Sequence, residues 1–295
     1  MENSKYSSFQ FERTFDVTNK QLVIWKSYHS KEQIKQYNLF ENERIFLFNT
    51  TNLGYAGKHI NQLNRLFCEG VCILYPYFNN LRTEYIGFQH YRRWYNSSIE
   101  DLKINEINNN KIQVFQDREP YIKYENIQYN DIYSHFCFWR QLDCGFYNDC
   151  IEYLKNNFPE YLVEYSKRPL FHGFSLFVCN WNKYVKFCNL LWGYFNFIAD
   201  KYKFDIYSEN DWVEFIKEHY LKFNREHHIS CMIVPWNCKE SYGEWYHDDY
   251  INDPESFKYY RIFSFNVEFF VSMFANIEGY IFDKNNVVHF ENGKF

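Results

Sequence analysis

The chain has 295 residues, of which 46% are hydrophobic and 23% charged, a composition that fills a large core and excludes an intrinsically disordered protein. Its formal net charge of −5 excludes attraction of nucleic acid by overall charge, so that any phosphate group would have to be held by local cations. Aromatic residues make up an unusually high 23%, and we expect most of these rings to build the core.

The hydrophobic pattern predicts strands that alternate with helices. Strands are predicted at residues 22–29, 44–50, 85–90, 111–116, 171–180 and 228–236. Helices are predicted at residues 30–43, 60–78, 130–157 with a break near Cys144, 181–202, 210–223 and 259–277. This alternation is typical of an α/β fold, a sheet flanked by helices. Because no linker or repeat divides the chain, we predict one domain at 21–280, an N-terminal extension at 1–20 and a C-terminal tail at 281–295.

Cysteine content and hydropathy give an expectation about location. The chain has nine cysteines, several of them within apolar helical stretches, and no secretory signal. No apolar run approaches the ~18 residues of a membrane-spanning helix. We therefore predict reduced core cysteines, no membrane span and a cytoplasmic protein.

The most informative segment is YIGFQHYRRWY, in which a predicted buried strand runs directly into His90, Tyr91, Arg92 and Arg93. Ligands of open α/β sheets bind beyond the carboxyl ends of the strands. Arginine is permanently charged and donates two hydrogen bonds to a phosphate group, so this pair suits a diphosphate. The alternative is that both arginines are surface residues paired with carboxylates.

Two weaker patterns have structural alternatives. Gly54 and Gly57 lie in a loop before a predicted helix, whose N-terminus favours an anion, but the loop does not match a P-loop and an ordinary loop is the alternative. His135 and Asp143 are eight residues apart, which places them on one face of a continuous helix. A carboxylate and an imidazole on one face suit acid–base chemistry, whereas the alternative is a helix cap and a core histidine.

Two further clusters could hold metal ions. His227, His228, Cys231 and Cys238 match no standard zinc spacing, and the segment between them has the pattern of a core strand. The run from His247 to Asp249 offers oxygen ligands for a divalent cation, and the alternative is a solvated acidic cluster. We therefore predict no zinc site.

Taken in chain order, several blocks of the sequence resemble the family named domain of unknown function 4422, whose members are similar to capsule and lipopolysaccharide glycosyltransferases of bacteria; some members occur in viruses. The resemblance extends over residues 22–276, and its blocks are residues 23–29, 56–70, 85–95, 158–161, 171–195 and 261–270. The chain departs from the family at Lys58 and His59 in the glycine loop, and at Gly173 and Phe174 before a later strand. Both departures lie where a donor or an acceptor would be touched.

The resemblance implies a fold like that of the GT-A glycosyltransferases and transfer of a sugar from a nucleoside-diphosphate sugar to a glycan hydroxyl. A UDP-sugar is the expected donor, with inversion at the anomeric carbon. Nucleic acid is not an expected partner, and peripheral membrane contact is left open. The residues expected to bind the donor are Gly57, Asn64, Glu69, His90, Tyr91, Trp94 and His135. The family's closing helix motif corresponds to Arg261, Phe265 and Glu268.

For catalysis, we expect Arg92 and Arg93 to stabilise the leaving diphosphate. Asp143 is expected to accept the proton of the acceptor hydroxyl, with Glu268 as the second candidate. Many GT-A enzymes hold a metal ion with Asp-x-Asp at the position that His90-Tyr91-Arg92 occupies here. We therefore expect no required metal, and the alternative is that His90 binds Mn²⁺ or that Mg²⁺ is used.

Three other functions remain open from the sequence. A non-catalytic glycan-binding or structural module on the same fold gains support from the Lys58 and His59 departures. A binder of single-stranded nucleic acid would use aromatic stacking, but the acidic balance disfavours it. A glycosidase would also need two carboxylates, and the two arginines at a strand end disfavour it.

Overall fold

The structure is a computed structural model that describes residues 13–95, 102–108, 111–115, 122–124, 127–129, 144–162, 176–221, 262–283 and 287–289. Its strands are β1 (Leu22–Tyr28), β2 (Ile45–Asn49), β3 (Tyr85–His90), β4 (Arg93–Tyr95), β5 (Ile112–Phe115), β6 (Ile122–Tyr124), β7 (Ile127–Tyr129), β8 (Phe177–Asn180), β9 (Tyr280–Asp283) and β10 (Val287–His289). Its α-helices are α1 (Lys31–Gln36), α2 (Asn64–Phe67), α3 (Glu69–Phe78), α4 (Ile104–Asn108), α5 (Cys144–Asn157), α6 (Pro159–Leu162), α7 (Trp181–Tyr202), α8 (Glu209–Phe215) and α9 (Ile262–Glu278).

Strand β3 is at the centre of a mixed eight-stranded sheet. On one side it pairs in parallel with β1, which pairs in parallel with β2. On its other side β3 pairs antiparallel with β8 along most of its length and with β4 at its last residue, His90. The sheet continues through β5 to β9, while β10 extends it beyond β4. Because β1, β2 and β3 run in the same direction, their carboxyl ends meet at one edge, called here the carboxyl edge.

Helices cover both faces of this sheet, which explains the continuous apolar runs in its central strands. All seven residues of β1 and all six of β3 are buried, as expected for parallel strands between two helical layers. Helices α2, α3, α7, α8 and α9 pack into a large core on one face. A smaller core on the other face includes residues of α4 and packs against α1. The predicted α/β architecture is therefore confirmed.

The continuous helix predicted over residues 60–78 is wrong. A 3₁₀ turn at Asn61–Leu63 leads into α2, and α3 begins only after Cys68, whose φ is +46°. A positive φ is unfavourable for a residue with a side chain, so packing must hold this break in place. Gly70 contributes to that packing, since a Cβ at its position would lie 2.8 Å from Cγ2 of Val267 in α9. The break makes Glu69 the first residue of α3.

Other predicted elements differ mainly in length. The helix predicted at 30–43 is confined to α1, and the helix predicted at 210–223 is α8 followed by a π-helical turn at Ile216–Leu221. Strands β9 and β10 lie within or next to the segment that the sequence analysis assigns to a C-terminal tail. The helix predicted at 130–143, the strand at 228–236 and both clusters considered for metal ions lie outside the described residues.

Two further sequence expectations concern thiols and membranes. Among the residues whose side chains are described, five cysteines are buried: Cys68, Cys72, Cys150, Cys179 and Cys188. Burial raises the pKa of the Cys72 and Cys188 thiols well above the usual value, so they act as small hydrophobic residues. Across the described ranges, no helix combines the length and the apolarity needed to cross a membrane.

Candidate active site

Three side chains from distant parts of the sequence meet at the carboxyl edge. His29 directly follows β1, His90 is the last residue of β3, and Glu69 begins α3 beside them. One ligand atom from each residue, a ring nitrogen or a carboxylate oxygen, lies within 4.8 Å of the other two. The structure therefore brings Glu69 and His90 together, as the expected donor site requires, and adds His29.

Hydrogen bonds on both ring nitrogens fix the protonation state of His90. The backbone N–H of Arg92 donates to Nδ1 at 3.2 Å, so this nitrogen carries no proton. Nε2 lies 2.9 Å from Oε1 of Glu69, and it therefore carries the proton of the neutral ring and donates it to the carboxylate. His90 is 5% exposed, and this burial lowers its pKa; Glu69 opposes the shift, whereas Arg92 and Arg93 reinforce it. The hydrogen-bond geometry and the lowered pKa both favour the neutral form of the imidazole.

Arg92 and Arg93 lie in a tight connection that we call the arginine hairpin, residues 90–93. Its turn, Tyr91 and Arg92, joins β3 to β4, and His90 pairs with Arg93 across it. Strand β10 pairs with β4 on the far side and places His289 opposite Arg93. Both arginines are half-buried. They lie at the carboxyl end of a buried strand, as the sequence pattern predicts, and their ligand stays a prediction.

His29 is the site residue that the sequence analysis missed. Its Nδ1 lies 2.5 Å from Oγ1 of Thr50, the residue after β2. The centroid of its ring lies 5.3 Å from the centroid of the Tyr91 ring. Thr50 is fully buried and its backbone N–H donates to the carbonyl of Tyr28, which restricts the position of this partner of His29. The signal was present in the sequence, because His29 follows the first predicted strand just as His90 ends the third.

Tyr91 and Trp94 were expected to contact the donor, and the two rings differ in accessibility. Tyr91 is 3% exposed and its ring packs against those of His29 and Tyr37, so in the structure it supports the turn from within the protein. Trp94 is half-buried, and the ammonium group of Lys26 lies 4.4 Å from its ring centroid. Desolvation lowers the pKa of this lysine to about 8. Stacking of either ring on a donor stays a prediction.

Gly57 lies apart from Glu69 and His90, although all three were expected to bind the donor. Its φ is +79°, and a Cβ at this position would lie 1.9 Å from Oδ1 of Asn79. Asn79 accepts the backbone N–H of Lys58 at 2.9 Å and donates to its carbonyl at 2.8 Å. Because Asn79 follows the last residue of α3 and Glu69 is its first, these two positions are ~15 Å apart along the helix.

Some of the remaining predicted residues lie in helices that the structure describes, and others lie outside the described residues. Asn64 begins α2, half-buried, and its buried Oδ1 has no hydrogen-bond partner among the described residues. Glu268 is half-buried in α9, where the neighbouring Val267 packs on Gly70 beside Glu69. Phe265 also lies in α9. His135, Asp143 and Arg261 lie outside the described residues, so the choice of proton acceptor stays a prediction.

The cluster of His29, Glu69 and His90 invites comparison with a metal centre. Two imidazoles and one carboxylate suit a borderline cation such as Mn²⁺. Coordination at Nε2 of His90, however, would move the ring proton to Nδ1, where it would face the N–H of Arg92. Among the described residues, the guanidinium groups of Arg92 and Arg93 also add positive charge beside His90, which disfavours a second cation there. In this arrangement the residues do not fit a metal ion at His90.

A separate cavity of about 700 Å³ lies at the opposite edge of the sheet, near the amino ends of β1 and β3. Its lining includes Lys20, Arg82, Glu84 and Trp181, and none of the predicted site residues. The carboxyl edge is therefore distinct from this cavity.

Comparisons with known proteins support the fold. Residues 41–229 match the family described as Domain of unknown function (DUF4422). A solved apo structure of the WbbM bifunctional glycosyltransferase is similar with a TM-score of 0.54 and 14% sequence identity, over 92% of this chain and 46% of that one. The chain thus spans about half the length of that protein. No curated protein matches the sequence. At this identity the likeness shows a shared glycosyltransferase-like fold.

Proposed function

The chain belongs to the domain of unknown function 4422 family, and we propose that it is a glycosyltransferase that moves a sugar from a nucleoside-diphosphate sugar to a glycan hydroxyl. Support comes from the fold that it shares with a glycosyltransferase. The observation that carries the proposal is the arginine hairpin at the carboxyl edge, next to β1 and β2. That edge is where α/β sheets bind nucleotides, and Arg92 and Arg93 supply the charge that a diphosphate needs.

In the proposed reaction, the acceptor oxygen forms a bond to the anomeric carbon of the sugar. The bond from that carbon to the diphosphate oxygen breaks, and its electron pair leaves with the nucleoside diphosphate. Arg92 and Arg93 stabilise the negative charge that gathers on this leaving group. The neutral His90 adds no charge, since it is occupied with Glu69 and with the backbone of Arg92.

The acceptor hydroxyl must also lose its proton. Asp143 is the first candidate for the acceptor of this proton and Glu268 the second. Glu268 lies on α9, which packs against the first turn of α3, and a half-buried carboxylate there is compatible with that role. Displacement by the acceptor, without a covalent intermediate on the enzyme, would invert the anomeric configuration.

The donor that we propose is a UDP-sugar, and the product is a surface or viral glycan made in the cytoplasm. A thermal-shift screen of nucleoside diphosphates and their sugars tests the donor class. A ligand at ~100 times its dissociation constant should stabilise the folded chain by ~2.7 kcal/mol. Stabilisation by one nucleotide series, followed by acceptor-dependent release of that diphosphate, is the expected result. Absence of stabilisation by any nucleotide would contradict the proposal.

One structural observation favours a second candidate, a non-catalytic glycan-binding module on the same fold. The loop at Lys58, where the chain departs from its family, is bonded to Asn79 rather than directed at the carboxyl edge. For such a module we expect glycan binding without release of nucleoside diphosphate from any nucleotide sugar. Donor hydrolysis or transfer by the wild-type chain would exclude this candidate.

A further inference from the structure

A continuous hydrogen-bond chain connects helix α3 to the arginine hairpin. It runs from the carboxylate of Glu69 to Nε2 of His90, at 2.9 Å, and from Nδ1 of His90 to the backbone N–H of Arg92, at 3.2 Å. Only 6% of the His90 side chain and 20% of the Glu69 side chain are exposed, so water competes little for these bonds. A buried and directional chain of this kind restricts where the Arg92 backbone can lie.

We propose that Glu69 and His90 are positioning residues, which hold the arginine hairpin ready for an anionic diphosphate in place of a metal ion. The inference rests on the proposed function for the identity of the diphosphate. It gives Glu69 a different role from direct contact with the donor, because a carboxylate next to a diphosphate would repel it. The carboxylate instead acts through His90, on the side of the hairpin that faces α3.

The rigid surroundings of the pair support a positioning role. Glu69 is fixed at the first turn of α3 by the break at Cys68 and by the close contact of Gly70 with Val267. Among the described residues, the imidazole of His29 and the ring of Tyr91 also face His90, and their ring centroids lie 6.2 Å and 4.0 Å from that of His90. The guanidinium groups of Arg92 and Arg93 supply the positive charge. The pair thus joins a fixed helix end to the charged turn.

The protonation pattern of His90 can be tested directly in the full-length chain. Long-range ¹H–¹⁵N spectra distinguish a ring nitrogen that carries a proton from one that does not, and His90→Gln assigns the signals. We expect a proton on Nε2 and none on Nδ1, with no change when Zn²⁺ is added. A proton on Nδ1, or a shift of the Nε2 signal on addition of Zn²⁺ that Glu69→Ala abolishes, would overturn the proposal in favour of a metal centre.

Calorimetry with inorganic pyrophosphate in EDTA tests the positioning role without any sugar or turnover. On charge alone, Glu69→Ala should bind pyrophosphate more tightly, because a negative charge has been removed. Positioning predicts the opposite, an affinity about tenfold weaker, since the loss of one buried hydrogen bond to a charged group has roughly that effect. Glu69→Gln keeps an oxygen that accepts from Nε2 and should bind pyrophosphate at least as tightly as the wild type.

The exposed Glu43, which precedes β2, provides a matched control, and Glu43→Ala should leave the affinity unchanged. Unchanged or tighter binding by Glu69→Ala, or no binding of pyrophosphate by the wild type, would overturn the inference. If Glu69→Ala does not fold, the wild-type spectra and Glu69→Gln decide instead. A proton on Nε2 together with intact pyrophosphate affinity in Glu69→Gln supports the inference, and weakened affinity in Glu69→Gln overturns it. A chain whose pyrophosphate affinity depends on Glu69 but that transfers no sugar would refute the proposed function and leave this inference standing.

Discussion

Residues that the sequence analysis places in one donor site lie near both ends of helix α3, in the loop of Gly57 at one end and at Glu69 at the other, and their surroundings differ. Near the C-terminal end, two hydrogen bonds between the side chain of Asn79 and the backbone of Lys58 hold the loop of Gly57 in place. At the N-terminal end, Glu69 meets His90 and His29 beside two arginines. The glycine loop therefore has a structural explanation, whereas the charged end is where we propose that the diphosphate binds.

The largest effect is expected at the proton acceptor. Asp143→Asn keeps the size and hydrogen-bonding capacity of the side chain but removes the base, so it should abolish transfer and leave donor binding near normal. Transfer assays and donor calorimetry on the same variant measure both. Normal transfer by Asp143→Asn would reject this residue as the proton acceptor. Glu268→Gln in the same assays would then show whether Glu268, in α9, accepts the proton.

A smaller but still large effect is expected in the arginine hairpin. Arg92→Ala or Arg93→Ala should lower turnover by about 10²–10³, the loss typical of one pre-organised group that stabilises developing charge. Both side chains are half-buried at a strand end, so the fold should remain intact. Steady-state kinetics with thermal unfolding as a control checks this. Wild-type turnover in both variants would place the chemistry elsewhere.

Gly57→Ala tests the other end of the helix. A Cβ there would meet the Asn79 side chain, and the positive φ would be strained, so we expect a loss of about 2 kcal/mol in the free energy of unfolding. Gly54→Ala is the matched control, because Gly54 lies in the same loop without a positive φ. Urea unfolding of both variants measures the difference. Equal stability of Gly57→Ala and the wild type would contradict the structural explanation of the loop.

The smallest effect concerns pH. The pKa of His90 is lower in the folded chain than in the unfolded chain, so below pH ~6.5 the unfolded state binds more protons. The free energy of unfolding should therefore fall as the pH drops through and below this value. His90→Gln removes this contribution, and urea unfolding at pH 7.5 and 5.5 should show a weaker pH dependence for the variant. An identical dependence in both proteins would mean that the His90 ring does not lose its proton on folding.

Much of the fold could be predicted because it depends on apolar runs. Strands β1, β2 and β3 and the long helix α7 follow from hydrophobic pattern alone. The break at Cys68 could not be predicted from the local pattern, and Gly70 beside it lies close to Val267, in a helix nearly 200 residues later. The short strands β9 and β10 likewise take their place from pairing with distant strands.

Candidate-site residues that follow directly from the end of a strand could be predicted from the sequence. A residue that joins the candidate site only through a contact between distant segments could not. His90, Arg92 and Arg93 follow directly from the strand that precedes them. The hydrogen bond between Glu69 and His90 requires the turn of the chain at Cys68, so only the family resemblance pointed to Glu69. His29 needed only the same strand-end argument, applied to β1.

Whether the arginine hairpin binds the diphosphate can be measured by calorimetric titration of UDP, in EDTA, into the wild-type chain and into an Arg92→Ala, Arg93→Ala double variant. We expect the wild type to bind UDP without a metal ion, because the two arginines neutralise the diphosphate. The double variant should bind at least tenfold more weakly, with its thermal unfolding unchanged. Equal UDP affinity in the two proteins, or wild-type binding that appears only when Mn²⁺ is added, would contradict the claim that the arginine hairpin is the diphosphate site.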